Sequence, residues 1–434
     1  MYIFSIPRIG SALFLGIVGL GLQALYFVGF GLDPLWVGGI QAIGYVSIAI
    51  SQFFFGWISD KFYTRLGRRK PWIILLTPLE MLAFVCLLMP QFFLEDLSES
   101  TLLMWLLVWN VLFQICYAGS TPYGAWMAEL FKENQRPKLS QIMNTFSFLG
   151  NGVMSVFSMI VLTNAIAQIE NDPRVLPPLY LWSVIVFGLV FFVGYYLTVL
   201  LMPVEPPPKI PPNLKQNLHD IFKHKNFWLV SLMQGIASLA WIIVVNVMLV
   251  YMSKVLQFST TEYIIAGVTL VFGIFGFLYM WRKIIVNYGK KNGLLFLFLF
   301  AAACLSFSLV GLFYIRYRFL FGILFILGIA VSLGGWYMVS SIWYADLAED
   351  DTRRSEQMKA GLYVGFPSIP LNLFQALGSL LLGALLKLDE ISVGPNNFSL
   401  GMVIWGPICS GILLIAFFYS RKYISLDFLK EKEK

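Results

Sequence analysis

The amino-acid sequence predicts an all-α membrane protein, in which twelve transmembrane helices form two pseudo-symmetric six-helix bundles. Three observations predict this fold class: an apolar composition, apolar runs of helical length, and an internal repeat. Of 434 residues, 59% are hydrophobic and 12% are charged, whereas about 25% of the residues of soluble domains are charged. A helix satisfies its own backbone hydrogen bonds, so it can present such apolar side chains to lipid.

A helix needs about 20 apolar residues to cross the hydrocarbon core of a membrane. The apolar runs of this sequence reach that length repeatedly. We predict spans at residues 10–30, 36–58, 72–93, 101–125, 140–164, 178–202, 227–251, 262–281, 293–314, 319–343, 360–386 and 400–420. The first run is too long for the apolar region of a cleavable signal peptide, so we expect the first helix itself to direct membrane insertion.

Basic residues segregate between the two sets of loops that twelve spans create. The set that includes both termini holds 25 of the 30 Lys and Arg residues. The other set holds the remaining five, which are Arg174, Lys254, Arg316, Arg318 and Lys387. Since basic loops stay in the cytoplasm, this pattern predicts a multi-pass protein of the cell membrane with both termini cytoplasmic. The net charge of +7 is thereby explained by topology, and we expect no nucleic-acid partner.

A proline-rich segment lies at the midpoint of the chain, between the sixth and seventh spans. Its prolines are Pro203, Pro206, Pro207, Pro208, Pro211 and Pro212. Such segments are extended, semi-rigid spacers. We therefore predict an N-terminal bundle at residues 1–202, a cytoplasmic linker at 203–226 and a C-terminal bundle at 227–434.

The two halves repeat each other. Trp126 to Leu130 at the end of the fourth span matches Trp343 to Leu347 at the end of the tenth, 217 positions later. Gly56 and Gly67 match Gly276 and Gly289, at offsets of 220 and 222. Parallel repeats with a substrate site between them are a transporter architecture.

The loop after the second span carries the pattern Gly56-Trp-Ile-Ser-Asp60, followed by Arg65-Leu-Gly67-Arg68-Arg69-Lys-Pro-Trp. This pattern resembles the loop signature of the major facilitator superfamily. Its extended form is similar to that of the glycoside–pentoside–hexuronide:cation symporters and their sucrose-transporter relatives. Further matches are Pro122-x-x-Ala125 with Glu129, Asn144-x-x-Ser147, and Ala345-Asp346-Leu347. The resemblance implies the major facilitator fold and alternating access, and it covers most of the chain.

The loop pattern has the chemistry of a gate. Gly56 allows two helices to approach closely, and Asp60 at a helix end can pair with a nearby guanidinium when the cytoplasmic side closes. We expect the gate to comprise Gly56, Asp60, Arg65, Gly67, Arg68, Arg69, Glu129 and Asp346. The alternative is that these basic residues serve only as topology signals.

The sequence departs from the family at its sodium site. The resemblance implies carboxylates in the second and fourth spans, but the matching positions hold Ile48, Gln52 and Ser120. A hard cation needs several oxygen ligands, and charge supplies much of the affinity. We therefore expect no metal site and no cofactor.

Glu80 is the one carboxylate that falls clearly inside a predicted span. Ionisable groups within a span are costly, and they are functional candidates for that reason. We interpret Glu80 as a candidate proton-coupling site. A neutral, hydrogen-bonded glutamic acid and uncoupled uniport stay open as alternatives.

Polar and aromatic residues recur at helical spacing within several spans, so that each set occupies one helix face. The candidate substrate-binding residues are Gln41, Tyr45, Gln52, Asn110, Gln114, Tyr117, Asn144, Asn151, Gln234, Trp241, Asn372 and Gln375. Neutral amides, hydroxyls and aromatic rings suit a polyhydroxyl solute. No Lys or Arg lies within a predicted span, so we expect a neutral solute. The alternative is that these amides form hydrogen bonds between helices.

These observations favour a monomeric secondary transporter of a small neutral solute, most simply a sugar or glycoside, with a coupling proton as a further partner. A facilitative uniporter and a carrier of an amphiphile such as a lysolipid are the alternatives. An enzyme is disfavoured because no paired carboxylates lie within the spans, and the two histidines, His219 and His224, fall in the linker. The cysteines indicate neither disulfides nor a metal site, because each lies alone in an apolar run; they are Cys86, Cys116, Cys304 and Cys409.

Overall fold

The computed structural model describes residues 1–131, 135–205, 225–313, 317–355 and 368–424. Within these ranges, twelve helices are long and apolar enough to cross a membrane, which confirms the predicted number of spans. They are α1 Tyr2–Gly29, α2 Pro34–Lys61, α3 Lys70–Leu88, α4 Glu99–Met127, α5 Ile142–Asn171, α6 Pro178–Leu201, α7 Lys225–Val255, α8 Thr261–Tyr288, α9 Lys290–Leu312, α10 Arg318–Met338, α11 Ser368–Leu386 and α12 Gly401–Tyr423.

Several helices depart from regular α-helical geometry. The helix of α5 begins at Arg136, and that of α10 continues to Ser355. In α4 the helix is interrupted between Tyr117 and Ser120. Turns of π-helix lie at Leu25–Gly29 in α1 and at Tyr251–Val255 in α7. These two turns occupy matching ends of equivalent helices, and such turns are frequent at functional sites.

Two small elements connect the helices. A one-turn helix, Pro90–Phe93, follows α3. Strands β1 (Glu390–Val393) and β2 (Asn396–Ser399) form an antiparallel hairpin between α11 and α12, with Glu390 paired to Ser399. Most of the predicted linker, residues 206–224, lies outside the described ranges, as do residues 360–367 of the predicted eleventh span.

The same five helix pairings build both halves, in agreement with the predicted pseudo-symmetry. In the first half, α1 packs on α5 and α6, α4 packs on α2 and α3, and α3 packs on α6. In the second half, α7 packs on α11 and α12, α10 packs on α8 and α9, and α9 packs on α12. The halves meet through α2 with α11, α5 with α8 and α1 with α7. We call this inter-bundle surface the seam.

The structure corrects the start of the first span. Helix α1 begins at Tyr2 rather than at residue 10, because Phe4 is fully buried and stacks on Tyr123 of α4. A proline is tolerated in the first turn of a helix, so Pro7 does not stop α1. The earlier start places Arg8 within helix α1, although the predicted first span, like the others free of Lys and Arg, begins after it.

Candidate functional site

Arg69 forms the centre of a charged network at the membrane side where α1 begins and α12 ends, which we call the terminal side. Its side chain is 2% exposed and donates from Nη1 to Ser59 Oγ at 2.6 Å. From Nη2 it donates to Asp60 Oδ1 and to Glu129 Oε1, both at 2.5 Å. Arg68 donates to the same Glu129 oxygen at 2.7 Å. Burial disfavours the charge of Arg69, but the two carboxylates outweigh it and raise the pKa of Arg69 above its usual value.

Glu205, just after α6, links the loop between α2 and α3 to that helix. Its Oε1 accepts from the backbone N–H groups of Arg68 and Arg69. Gly67 makes this approach possible, because its φ is +88° and a Cβ there would lie 2.6 Å from Glu205 Oε1. Lys70 Nζ donates to the Met202 carbonyl at 2.7 Å. The network therefore joins α2, α3, α4 and the end of α6 within one bundle.

The remaining candidates of the gate differ in position. Gly56 packs against α4, where its Cβ would lie 3.3 Å from Thr121 Cγ2. Arg65 is exposed and lies outside the network. Asp346 belongs to the helix Arg318–Ser355, but its side chain lies outside the described part of the chain.

The buried amides of the seam divide into two kinds. Gln41 of α2 accepts through Oε1 from Asn246 Nδ2 of α7 at 3.3 Å, so this contact crosses between the bundles. Asn110 of α4 instead donates to the Ile40 carbonyl of α2 at 3.0 Å, within one bundle. Gly44 of α2 makes room for Asn110 and for Gln114. Asn110 therefore ties helices together, whereas Gln41 lies where the two bundles meet.

Exposure of the seam rises towards the terminal side. Along one face of α5, Ser155 is 4% exposed, Asn151 is half-buried and Asn144 is exposed. Residues nearer the centre are buried, and they are Gln41, Asn110, Gln114, Gln234, Trp241 and Asn372. Half-buried candidates are Tyr45, Gln52, Tyr117 and Gln375. The described residues thus outline a seam that opens towards the terminal side.

Several buried polar atoms along this seam have no protein partner within the described ranges. They are Nε2 and Oε1 of Gln23, Oε1 of Gln52 and Nε1 of Trp241. Buried polar atoms are nearly always hydrogen-bonded to protein or water, so such atoms mark a place where water or a solute supplies the bond. Gln23 was not among the predicted residues. Its sequence signal is an amide within the first predicted span, and the structure places it one turn after Gly19, which contacts Val245 of α7.

Glu80 lies inside the N-terminal bundle rather than on the seam surface. It is 4% exposed, and its Oε1 has no hydrogen-bond partner among the described residues. Tyr117 of α4 and Tyr195 of α6 lie within electrostatic range of it. Tyr195 also shares a hydrogen bond of 2.9 Å with Ser11 of α1. Glu80 is therefore within electrostatic range of a polar cluster that reaches three other helices.

The opposite, distal side of the seam is closed by close packing of α2 on α11. A Cβ at Gly38 would lie 2.5 Å from the Ser379 carbonyl oxygen, and one at Gly383 would lie 2.7 Å from the Pro34 carbonyl oxygen. Only glycine permits backbones this close. Between α1, α5, α7 and α8 a distal cavity of about 260 Å³ remains, lined in part by Thr163, Asn164 and Ser253.

Two ion pairs cross between the bundles on the distal side. Lys387 Nζ lies 2.5 Å from Asp33 Oδ2, and Lys254 Nζ lies 2.6 Å from Glu170 Oε1. Burial of Asp33 opposes its charge, but hydrogen bonds from Lys387 and from the Leu35 N–H lower the pKa of Asp33 below its usual value. The first half supplies both acids and the second half both lysines. Sequence reasoning treated these lysines only as topology residues.

The positions that match the family's sodium ligands hold neutral side chains in the structure. Ile48 is 4% exposed on α2. Gln52 lies one turn further along α2, and Ser120 at the break in α4 is a hydrogen-bond partner of Tyr117. These three residues offer no carboxylate to a hard cation.

The whole fold is similar to that of solved transporters. A D-xylose-proton symporter superposes with a TM-score of 0.69 at 17% identity, covering 98% of each chain. The nucleoside transporter NupG superposes with a TM-score of 0.62 at 13% identity, covering 98% of this chain and 100% of its own. At these identities the likeness concerns the fold.

Two sequence relatives match a third of the chain. One is the sodium-dependent lysophosphatidylcholine symporter 1 of Gallus gallus, which is 28% identical over 146 residues, 33% of this chain and 27% of that protein. The other is an uncharacterised symporter of Synechocystis, 27% identical over 148 residues, 33% of this chain and 26% of that protein. Each match thus spans about a quarter of the relative's length.

A family profile described as MFS/sugar transport protein matches residues 3–421, nearly the whole chain. Together with the twelve spanning helices and the likeness to solved major facilitator structures, this match settles the family. This multi-pass membrane protein belongs to the MFS/sugar transport protein family.

Proposed function

We propose that this protein is a secondary active transporter that carries a small polar solute, of the sugar or glycoside class, by alternating access through the seam. The observation that carries the proposal is the set of buried polar atoms of Gln23, Gln52 and Trp241, which lack a protein partner within the described ranges. Solute hydroxyls can supply the missing hydrogen bonds. The family description and the fold likeness to a D-xylose-proton symporter support the same reading.

The chemistry of the seam favours a polyhydroxyl solute. Amides such as those of Gln41 and Gln234 both donate and accept hydrogen bonds. The Trp241 ring lies 6.2 Å from the Trp336 ring, and aromatic faces can stack on a sugar ring. Apart from Asn110, which ties α4 to α2, the other predicted residues would contribute to the same site at different depths.

Glu80 is our candidate for proton coupling. Its carboxyl is almost fully buried and sits beside Tyr117 and Tyr195, so a proton there would be held away from bulk water. Neutral residues at the family's sodium positions favour a proton over Na⁺. Uniport is the alternative if Glu80 stays protonated throughout the cycle.

An amphiphilic solute is the second candidate. It is favoured by one observation, the similarity of a third of the chain to a sodium-dependent lysophosphatidylcholine symporter. We further propose that both termini are cytoplasmic in the cell membrane, on the basis of the Lys and Arg distribution, and that the protein acts as a monomer.

Uptake into proteoliposomes tests the function. We expect a proton gradient to drive accumulation of at least one sugar from a panel, and Glu80→Gln to abolish accumulation while leaving counterflow exchange. Glu99→Gln, which changes an exposed acid at the distal end of α4, is the matched control and should accumulate like wild type. Gradient-driven accumulation by Glu80→Gln would remove Glu80 from coupling. Transport of lysolipids with no sugar transport would replace the sugar proposal by the amphiphile.

A further inference from the structure

Arg8 places a positive charge inside a membrane-spanning helix. It follows Pro7 at the start of the helix Pro7–Ala24 and is half-buried. Its Nε is buried without a hydrogen-bond partner among the described residues. At the terminal side, Asp60 and Glu129 pair with Arg69.

The side of α1 that carries Arg8 faces the other bundle. Leu15, Gly19 and Gln23 follow Arg8 at offsets of 7, 11 and 15 residues, which is the spacing of one helical stripe. Gly19 on this stripe contacts Val245 of α7 across the seam. Leu15 on the same stripe is 40% exposed. Arg8 is therefore at the terminal-side end of the α1 stripe that meets α7 at Gly19.

Three tyrosine hydroxyls lie within electrostatic range of Arg8. Tyr117 and Tyr123 of α4 and Tyr195 of α6 all lie within electrostatic range of its guanidinium. Tyr117 and Tyr195 also lie within range of Glu80. Arg8 and Glu80 are therefore within electrostatic range of one cluster of tyrosines in the N-terminal bundle.

A half-buried cation within a span is costly unless a counter-charge accompanies it, and Arg8 forms no ion pair with Glu80 or another acid among the described residues. We propose that Arg8 binds an anionic group of the transported solute, a carboxylate or a phosphate, and so determines the charge class of the substrate. The planar guanidinium matches both groups through two parallel hydrogen bonds. This inference rests on the proposed transport through the seam, and it replaces the expectation of a neutral solute by one of an anion-bearing solute.

Ligand-dependent thermal stabilisation of the purified protein tests the role of Arg8 with two matched compound pairs. One pair is glucose with glucose 6-phosphate, and the other is a monoacylglycerol with the corresponding lysophosphatidate. We expect the phosphate-bearing member of one pair to bind about tenfold more tightly than its neutral twin. Arg8→Gln should bring that ratio to about one. Arg8→Lys should keep part of it, because lysine retains the positive charge but lacks the planar guanidinium that forms two parallel hydrogen bonds.

Lys422→Gln is the control, because it removes an exposed cation at the end of α12 on the same membrane side. It should retain the wild-type ratio. If the wild type binds the two members of each pair with equal affinity, the inference is overturned. This result does not depend on whether any variant folds. An unchanged ratio in Arg8→Gln or a ratio of one in Lys422→Gln would also overturn the inference. Discrimination within the lipid pair alone would keep the role of Arg8 and refute the sugar proposal, and discrimination within the sugar pair would support both.

Discussion

Arg69 illustrates how one buried side chain can organise a loop. A guanidinium that is 2% exposed must satisfy its donors inside the protein. Ser59 and the carboxylates of Asp60 and Glu129 accept three of these bonds. Since the carboxylates come from the ends of α2 and α4, the position of Arg69 fixes the relative position of those helices.

Glu129→Gln should lower the free energy of unfolding by about 3 kcal/mol, because it leaves one buried guanidinium with a single carboxylate and deprives Arg68 of its partner. Denaturation of the protein in detergent micelles measures this change. The control is Glu170→Gln, whose ion pair with Lys254 is more exposed and should contribute about 0.2–1 kcal/mol. Equal losses in the two variants would contradict the buried network.

Gly67→Ala should lower the melting temperature more than Gly289→Ala does. Both glycines have φ values that favour glycine, +88° and +84°, so the conformational cost is shared. They differ in surroundings, because a Cβ at Gly67 would lie 2.6 Å from Glu205 Oε1, whereas one at Gly289 would meet nothing within 4 Å. Thermal unfolding of the two variants checks this difference. Equal shifts would mean that Glu205 does not hold the loop.

At the scale of helices, the two distal ion pairs occupy matching places in the repeat. Lys254 follows Asp33 by 221 positions, and Lys387 follows Glu170 by 217, close to the offsets of the sequence repeat. One pair joins the α2–α11 contact, and the other joins α5 to α7. The acids come from one bundle and the lysines from the other, so the pairs attract only while the distal side is closed.

Lys387→Asp should favour the distal-open conformation, because it places two carboxylates opposite each other. The double exchange Asp33→Lys with Lys387→Asp should restore closure. The rate at which a membrane-impermeant maleimide labels Ser379→Cys, 1% exposed at the α2–α11 contact, measures opening in a background without native cysteines. Labelling should rise several-fold in Lys387→Asp and fall back in the double exchange. An unchanged labelling rate in Lys387→Asp, or no recovery in the double exchange, would contradict the role of this ion pair in closing the distal side.

The sequence predicted the helices well and their ends poorly, for a physical reason. The number and order of the spans follow from apolar length, which the membrane imposes on every helix. The start of α1 does not, because Phe4 belongs to the helix through its packing on α4, and Pro7 is tolerated in a first turn. That one displaced boundary hid Arg8 from the sequence argument.

The candidate site was predictable in composition but not in contacts. Helical spacing found the face that carries Gln41 and Asn110, yet the structure gives Gln41 a partner across the seam and Asn110 a partner in its own bundle. Periodicity shows on which face of its helix a residue lies, but the residue that it contacts there depends on helices distant in sequence. Glu205 escaped prediction likewise, because its partners are backbone N–H groups of a loop about 137 positions away.

At the scale of the whole molecule, the described residues of the two bundles touch closely on the distal side, and the described seam residues of α5 become more exposed towards the terminal side. The contacts of Gly38 and Gly383 and two exposed ion pairs hold the distal side. Exposed ion pairs contribute little individually, so a modest solute interaction can shift the balance between conformations. Alternating access requires this kind of near-balance.

Distances between spin labels on both sides of the seam test the central claim most directly. One pair joins exposed distal residues, Asn171→Cys and Asp389→Cys, and the other joins exposed terminal-side residues, Lys61→Cys and Tyr288→Cys. Pulsed electron double resonance in lipid nanodiscs should show, on addition of a transported solute, a longer population for the distal pair together with a shorter one for the terminal pair. Distributions that stay unchanged, or that lengthen on both sides at once, would contradict a seam that opens alternately to either side.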